Sequence, residues 1–189
     1  MISKGLLGPA QQLARRNIAR LHPWATRGVP IVGCEPSCLL TLVDEYVDLV
    51  PGDWAREVAA QARLIDSHLA REGIALPLRA HDRPLVVHGH CYQKALVGTA
   101  DMQQTLRTIP GVSAKLLDSG CCGMAGSFGY EHYDLSRQIG SRVLFPAVRE
   151  AADAAIVAPG FSCRHQIEHG TGRRALHPIE VLAECLVEE

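Results

Sequence analysis

The chain has 189 residues, 47% of them hydrophobic and 21% charged, enough apolar material to bury a core as one domain or two small lobes and too much for a disordered chain. Its formal net charge of −1 leaves no electrostatic footprint for DNA, RNA or anionic lipid. No apolar stretch approaches the roughly 20 residues that a membrane-spanning helix needs.

Apolar periodicity and turn residues predict an alternation of helices and strands. A helix is expected over 4–21, a strand over 29–33, a helix over 38–46 and an amphipathic helix over 54–70, where Trp54, Val58, Ala62, Ile65 and Leu69 share one face. The stretch 72–84, with Gly73, Pro77, His81 and Pro84, reads as a linker. A strand at 85–88, a helix at 93–107, a strand at 112–117 and a glycine-rich loop follow. Beyond them come a helix at 131–149 that Pro146 ends or bends, a strand at 154–158, a short helix after Ser162 and a helix over 178–187 opened by Pro178. Such alternation implies an α/β fold with parallel strands, whose following loops emerge on one edge of the sheet.

Seven cysteines occur, at 34, 38, 91, 121, 122, 163 and 185. The first six sit in loops that follow short apolar runs, so residues scattered along the chain can meet at one sheet edge. The doublet Cys121-Cys122, with Gly120, Gly123, Gly126 and Gly129 around it, points to metal ligation or thiol chemistry, because a disulfide between adjacent residues is strained. Those glycines let backbone N–H groups approach sulfur, or serve as ordinary turn residues. His88, His90 and Lys94 flank Cys91, where they are placed to stabilise a thiolate. Cys185 belongs instead to the inner face of the last helix with Ile179, Leu182 and Leu186. Disulfides are not expected, since Met1-Ile2-Ser3-Lys4 does not open a charged-then-apolar secretory segment. Two metal chemistries stay open: an iron–sulfur cluster held by thiolates from several loops, and a four-ligand zinc site that Cys163 could build with His165 or His169. No Gly-x-Gly-x-x-Gly follows a strand, so no flavin or nucleotide fingerprint is visible.

Cys91, then 29 residues, Cys121-Cys122-Gly123, then 39 residues, and Cys163 form a pattern that resembles the cysteine-rich (CCG) domain of heterodisulfide reductase and of the iron–sulfur subunits of glycolate oxidase and anaerobic glycerol-3-phosphate dehydrogenase. Glu35-Pro36-Ser37-Cys38, His88-Gly89-His90-Cys91-Tyr92-Gln93-Lys94, Ser119-Gly120-Cys121-Cys122-Gly123-Met124-Ala125-Gly126 and Gly160-Phe161-Ser162-Cys163-Arg164-His165-Gln166 are similar to the C-terminal region of FAD-linked oxidases of D-lactate, glycolate or D-2-hydroxyglutarate. The resemblance implies an electron-transfer module with a [4Fe-4S]-type cluster on Cys91, Cys121, Cys122 and Cys163. Cys38 is a fifth candidate, Cys34 the weakest of the loop group, and His88, His90 and His165 surround the ligands. It implies a non-catalytic portion of an oxidoreductase, with FAD on a partner domain or subunit and an acceptor protein or quinone downstream. The expected location is cytoplasmic or peripheral at the inner membrane face. A heterodisulfide reductase-like thiol/disulfide redox protein and a zinc-stabilised interaction module are the alternatives.

Two departures from the family pattern stand out. Gln166 occupies the position three after Cys163, where the family often has a further cysteine. In the family, a segment like Ile2-Ser3-Lys4-Gly5-Leu6-Leu7 closely follows the doublet of a first repeat. Residues 1–78 are therefore expected to be the back half of a first CCG-like lobe, and 79–189 a second CCG domain. An exposed apolar patch is expected around the 4–21 helix or the 29–33 strand.

Overall fold

A computed structural model describes residues 1–187, which form two compact units, Met1–Ile65 and a second from Asp66 onward. In the first unit a 3-10 turn, Ile2–Lys4, precedes α1 (Leu7–Ala25). The expected helix over 4–21 thus starts later, after Gly5 turns the chain at a φ of 69°, and runs on through Pro23. β1 (Ile31–Gly33), α2 (Pro36–Val43), α3 (Glu45–Leu49), α4 (Asp53–Gln61) and β2 (Ala62–Leu64) follow. Pro36 opens α2, and the Glu35 carboxylate accepts the Ser37 N–H at 3.3 Å, so the helix carrying Cys38 is capped from its own sequence.

β2 corrects the expectation of one helix over 54–70. The helical period of Trp54 to Leu69 persists in the sequence, but 62–64 runs extended and pairs in parallel with β1, Ile31 opposite Ala62. Ladder hydrogen bonds outweigh local propensity there, and the chain returns to helix in α5 (Ile65–Arg71). Trp54, expected inside, is 56% exposed and stacks on the His22 ring with centroids 4.3 Å apart. The core of this unit comes from Ala14 and Ile18 of α1, Tyr46 of α3, and Ala55 and Val58 of α4. Leu6, Leu7, Trp24, Val29 and Val32 remain exposed.

The second unit is an α/β layer structure on a parallel sheet of order β4-β3-β5-β6, with β3 at Leu85–Val87, β4 at Ala114–Leu116, β5 at Ala155–Val157 and β6 at Ala175–Leu176. Leu85, Val87, Ala155 and Val157 pack with Met102 and Leu106 of α7 (Ala100–Leu106) and with Val181, Leu182 and Cys185 of α12 (Pro178–Cys185). Val86 and Ile156 join a separate cluster with Leu144, Phe145 and Val148 of α10 (Leu144–Glu150) and Ile167 of α11 (Phe161–Thr171). Both faces of the sheet are covered, which is why its central strands read as unbroken apolar runs.

Other boundaries moved for identifiable reasons. The helix expected over 93–107 is two, α6 (Cys91–Leu96) and α7, parted at Gly98 with φ 72°. The one expected over 131–149 is three: α8 (Phe128–Glu131), α9 (Tyr133–Arg142) and α10, with Pro146 in the first turn of α10, where proline is tolerated. The stretch 72–84 packs Leu76 and Leu78 against the core, and Arg79 donates its N–H to the Cys185 carbonyl at 2.8 Å. The chain leaves β3 toward β4 on one side and β5 toward β6 on the other, so a crevice opens at the carboxyl ends of β3 and β5.

Candidate metal centre

Three loops meet at that crevice. Cys91 opens α6 just beyond β3, Cys121 and Cys122 lie in the loop after β4, and Cys163 sits in the first turn of α11 beyond β5. Because β4, β3 and β5 are adjacent, residues distant in sequence converge. Their side chains form one hydrogen-bonded string: Cys91 to Cys121, Cys121 to Cys122, and Cys122 to Cys163. Cys122 and Cys163 are buried, whereas Cys91 and Cys121 are half-buried.

Thiols and thiolates alternate along the string. Cys121 is lowered to about 2, first by the Cys122 thiol and then by the Cys91 thiol that hydrogen-bond to it, helped by the Gly123 N–H at 3.3 Å from its sulfur. Cys163 is held down at about 5, chiefly by its bond from Cys122 and further by His88. Cys122 and Cys91 are pushed far up, because each shares its proton with the Cys121 sulfur. Two thiolates in a half-buried pocket form a ready anionic site, and a cation bound there would displace the two remaining protons. The backbone N–H groups of Tyr92, Gly123 and Met124 also hydrogen-bond to the sulfurs of Cys91, Cys121 and Cys122. Gly123 makes this possible with a φ of 100°; a Cβ there would lie 3.2 Å from Ser136 Oγ and strike the Ser136 carbonyl.

The loop carrying the doublet is pinned from beneath. Lys94 donates its ammonium to the Ser119 carbonyl and to that of Gly120, so it fastens the loop. Ser119 Oγ lies 2.7 Å from His88 Nδ1, and His88 is wholly buried. No nitrogen or oxygen pairs with its Nε2, and the ring bonds the Cys163 sulfur. A ring nitrogen of His88 and the sulfurs of Cys122 and Cys163 all lie within 4.8 Å of one another. His90 is buried too, with Nδ1 unpartnered.

The remaining candidates lie elsewhere. His165 is half-buried on α11, its ring 6.0 Å from that of Tyr130 and 6.2 Å from that of His169. Gln166 directs its amide nitrogen to Ser136, 2.9 Å from Oγ. Cys34 and Cys38 are exposed residues of the first unit and line a cavity of about 590 Å³ there with Arg20, Glu35 and Tyr46. Cys185 is packed in the core among Val181 and Leu182. Ser119 stood in the doublet motif without a role of its own, and Ser136 escaped the sequence reading because only the fold could reveal it.

Four converging sulfurs, inward N–H groups and a buried imidazole against the Cys163 sulfur fit a thiolate-bound metal centre in a cysteine-rich α/β unit. Residues 85–168 match the family described as CCG: Cysteine-rich domain. Over 98% of its length the chain is 31% identical to one subunit of the anaerobic glycerol-3-phosphate dehydrogenase of Escherichia coli K12. It is 32% identical over 96% of its length to D-2-hydroxyglutarate dehydrogenase of Pseudomonas putida, and 28% over 97% to that of Escherichia coli K12. The chain spans 48% of the glycerol-3-phosphate dehydrogenase polypeptide and 18% of each of the two D-2-hydroxyglutarate dehydrogenases.

Proposed function

We propose that this chain is the iron–sulfur electron-transfer portion of an FAD-linked oxidoreductase, with a [4Fe-4S]-type cluster held by Cys91, Cys121, Cys122 and Cys163. The observation that carries the reading is the continuous string of four sulfurs at the carboxyl edge of a parallel sheet. The cluster would accept and release single electrons at a potential that responds to hydrogen bonds on sulfur and to exposure. The chain supplies those controls: N–H groups from Tyr92, Gly123 and Met124, a buried side at Cys122 and Cys163, and a half-exposed side at Cys91 and Cys121.

In this reading residues 79–189 are the CCG domain and 1–78 the back half of another. Electrons come from FAD on a partner domain or subunit that oxidises a 2-hydroxy acid or glycerol 3-phosphate, and leave to an acceptor protein or quinone. The location is the cytoplasm or the inner face of a membrane; among the described residues no helix is long and apolar enough to cross one. The test is redox titration of protein reconstituted anaerobically with iron and sulfide, followed by visible absorption and electron paramagnetic resonance. A reversible one-electron signal that Cys122→Ser abolishes and Cys185→Ser leaves intact is expected. A colourless protein that instead turns over disulfide substrates would replace electron relay with thiol redox chemistry.

A further inference from the structure

His88 occupies a position that packing alone does not explain. It is the first residue beyond β3, and its own N–H continues the ladder to the Val157 carbonyl at 2.8 Å, so its backbone is fixed by the sheet. Its ring reaches between the doublet loop, where Nδ1 meets Ser119 Oγ at 2.7 Å, and the start of α11. No part of the residue is exposed, Nε2 pairs with no nitrogen or oxygen, and beyond Ser119 the ring bonds the Cys163 sulfur. An imidazole buried between a hydroxyl and a thiolate sulfur, with no other nitrogen or oxygen partner, calls for a role.

The rest of the environment supplies the role. A metal–nitrogen bond of about 2.0 Å and a metal–sulfur bond of about 2.3 Å put the two donors at most about 4.3 Å apart on one ion. The separations among His88, Cys122 and Cys163 are bounded by 4.8 Å, within reach of a small inward movement of the side chains. Ligating histidines almost always hand their other ring nitrogen to a fixed polar partner, which sets tautomer and ring orientation. Ser119 is such a partner, itself buried and held through its carbonyl by Lys94. His90, the other buried histidine here, does not share this three-donor grouping.

We propose that His88 is a direct iron ligand: with its proton on Nδ1 and donated to Ser119 Oγ, its Nε2 lone pair joins the sulfurs of Cys122 and Cys163 on the centre. This deepens the cluster assignment and rests on it. With all four thiolates kept, the imidazole is a further, neutral donor, and a neutral donor leaves the potential higher than a thiolate in the same position would. His88 thereby distinguishes one iron from the others.

The experiment labels the reconstituted protein with ¹⁵N-histidine and records pulsed electron–nuclear spectra of the paramagnetic state. The expected result is a strong nitrogen coupling that changes with the isotope, disappears in His88→Ala and persists in His90→Ala. His88→Cys should keep iron and sulfide content, lose the nitrogen coupling and titrate at a lower potential. A cluster of full iron and sulfide content without histidine nitrogen coupling, or with a coupling that His90→Ala removes instead, overturns the ligand assignment while leaving electron transfer standing. Absence of iron and sulfide from the wild-type protein overturns both. Because the isotope comparison uses unmutated protein, the test survives a variant that does not fold.

Discussion

The aromatic ring of Phe145 lies between two glycines, and the effect of adding one methyl group to either can be worked out from the structure. A Cβ built on Gly170 of α11 would lie 2.5 Å from Phe145 Cε1 and 2.7 Å from Cε2. On the other side, a Cβ on Gly140 of α9 would lie 2.8 and 2.9 Å from the same atoms. The ring is fully buried, so it has no free space into which to retreat. The Gly170 carbonyl is also held by Arg149 at 2.7 Å, which limits movement of the helix. Overpacking of this kind costs about 1–3 kcal/mol, while alanine recovers at most about 1 kcal/mol of helix propensity over glycine. Gly170→Ala should therefore destabilise by about 1–2 kcal/mol, or about 4–8 °C in Tm for a unit of this size. Gly8→Ala in α1, where an added Cβ meets nothing within 4 Å, should be neutral or slightly stabilising. Thermal unfolding followed by circular dichroism measures both. In combination with Phe145→Leu, the penalty of Gly170→Ala should shrink, since the ring that it strikes is gone. A Gly170→Ala protein that melts at or above the wild-type temperature refutes the packing of α9, α10 and α11 described here.

Two further predictions concern titration. In metal-free protein, alkylation of Cys121 by iodoacetamide, read by mass spectrometry, should be nearly independent of pH between 5 and 8, because a group held at about 2 is already thiolate throughout. An ordinary thiol speeds up about tenfold per pH unit over that range, and such a slope at Cys121 would mean that the sulfur string is misplaced. Asp66 is buried, with its pKa raised first by desolvation, so any stability it contributes is present below 3.8 and lost as pH rises through the raised value. Asp66→Asn should accordingly raise Tm at pH 8 relative to wild type and do little at pH 4; an equal effect at both pH values contradicts a buried, protonating carboxyl.

The sequence disclosed the parts of the site that depend on parallel strands. The runs ending near Val87, Leu116 and Val157 are strands, and their order along the chain puts Cys91, Cys121, Cys122 and Cys163 on one edge. What escaped it depends on contacts made in three dimensions. β2 lies inside a sequence of helical period and forms because β1 offers it a ladder. β6 is two residues long, too short to carry a periodic signal. Cleavage of the 131–149 segment into separate helices lets α10 bring Phe145 into the core, which no local propensity announces. His88 read as a residue placed around the ligands to stabilise a thiolate, since neither its burial nor its contact with Cys163 is encoded in spacing. Lys94 read as a partner of sulfur, yet the fold turns it to the Ser119 and Gly120 carbonyls.

The central claim is that four cysteine sulfurs from three loops hold one iron–sulfur cluster. Metal and acid-labile sulfide analysis of protein purified anaerobically from iron-replete cells tests it most directly. About four iron and about four sulfide per chain are expected, lost when Cys121, Cys122 or Cys163 is changed to serine. One zinc per chain with no sulfide would contradict it.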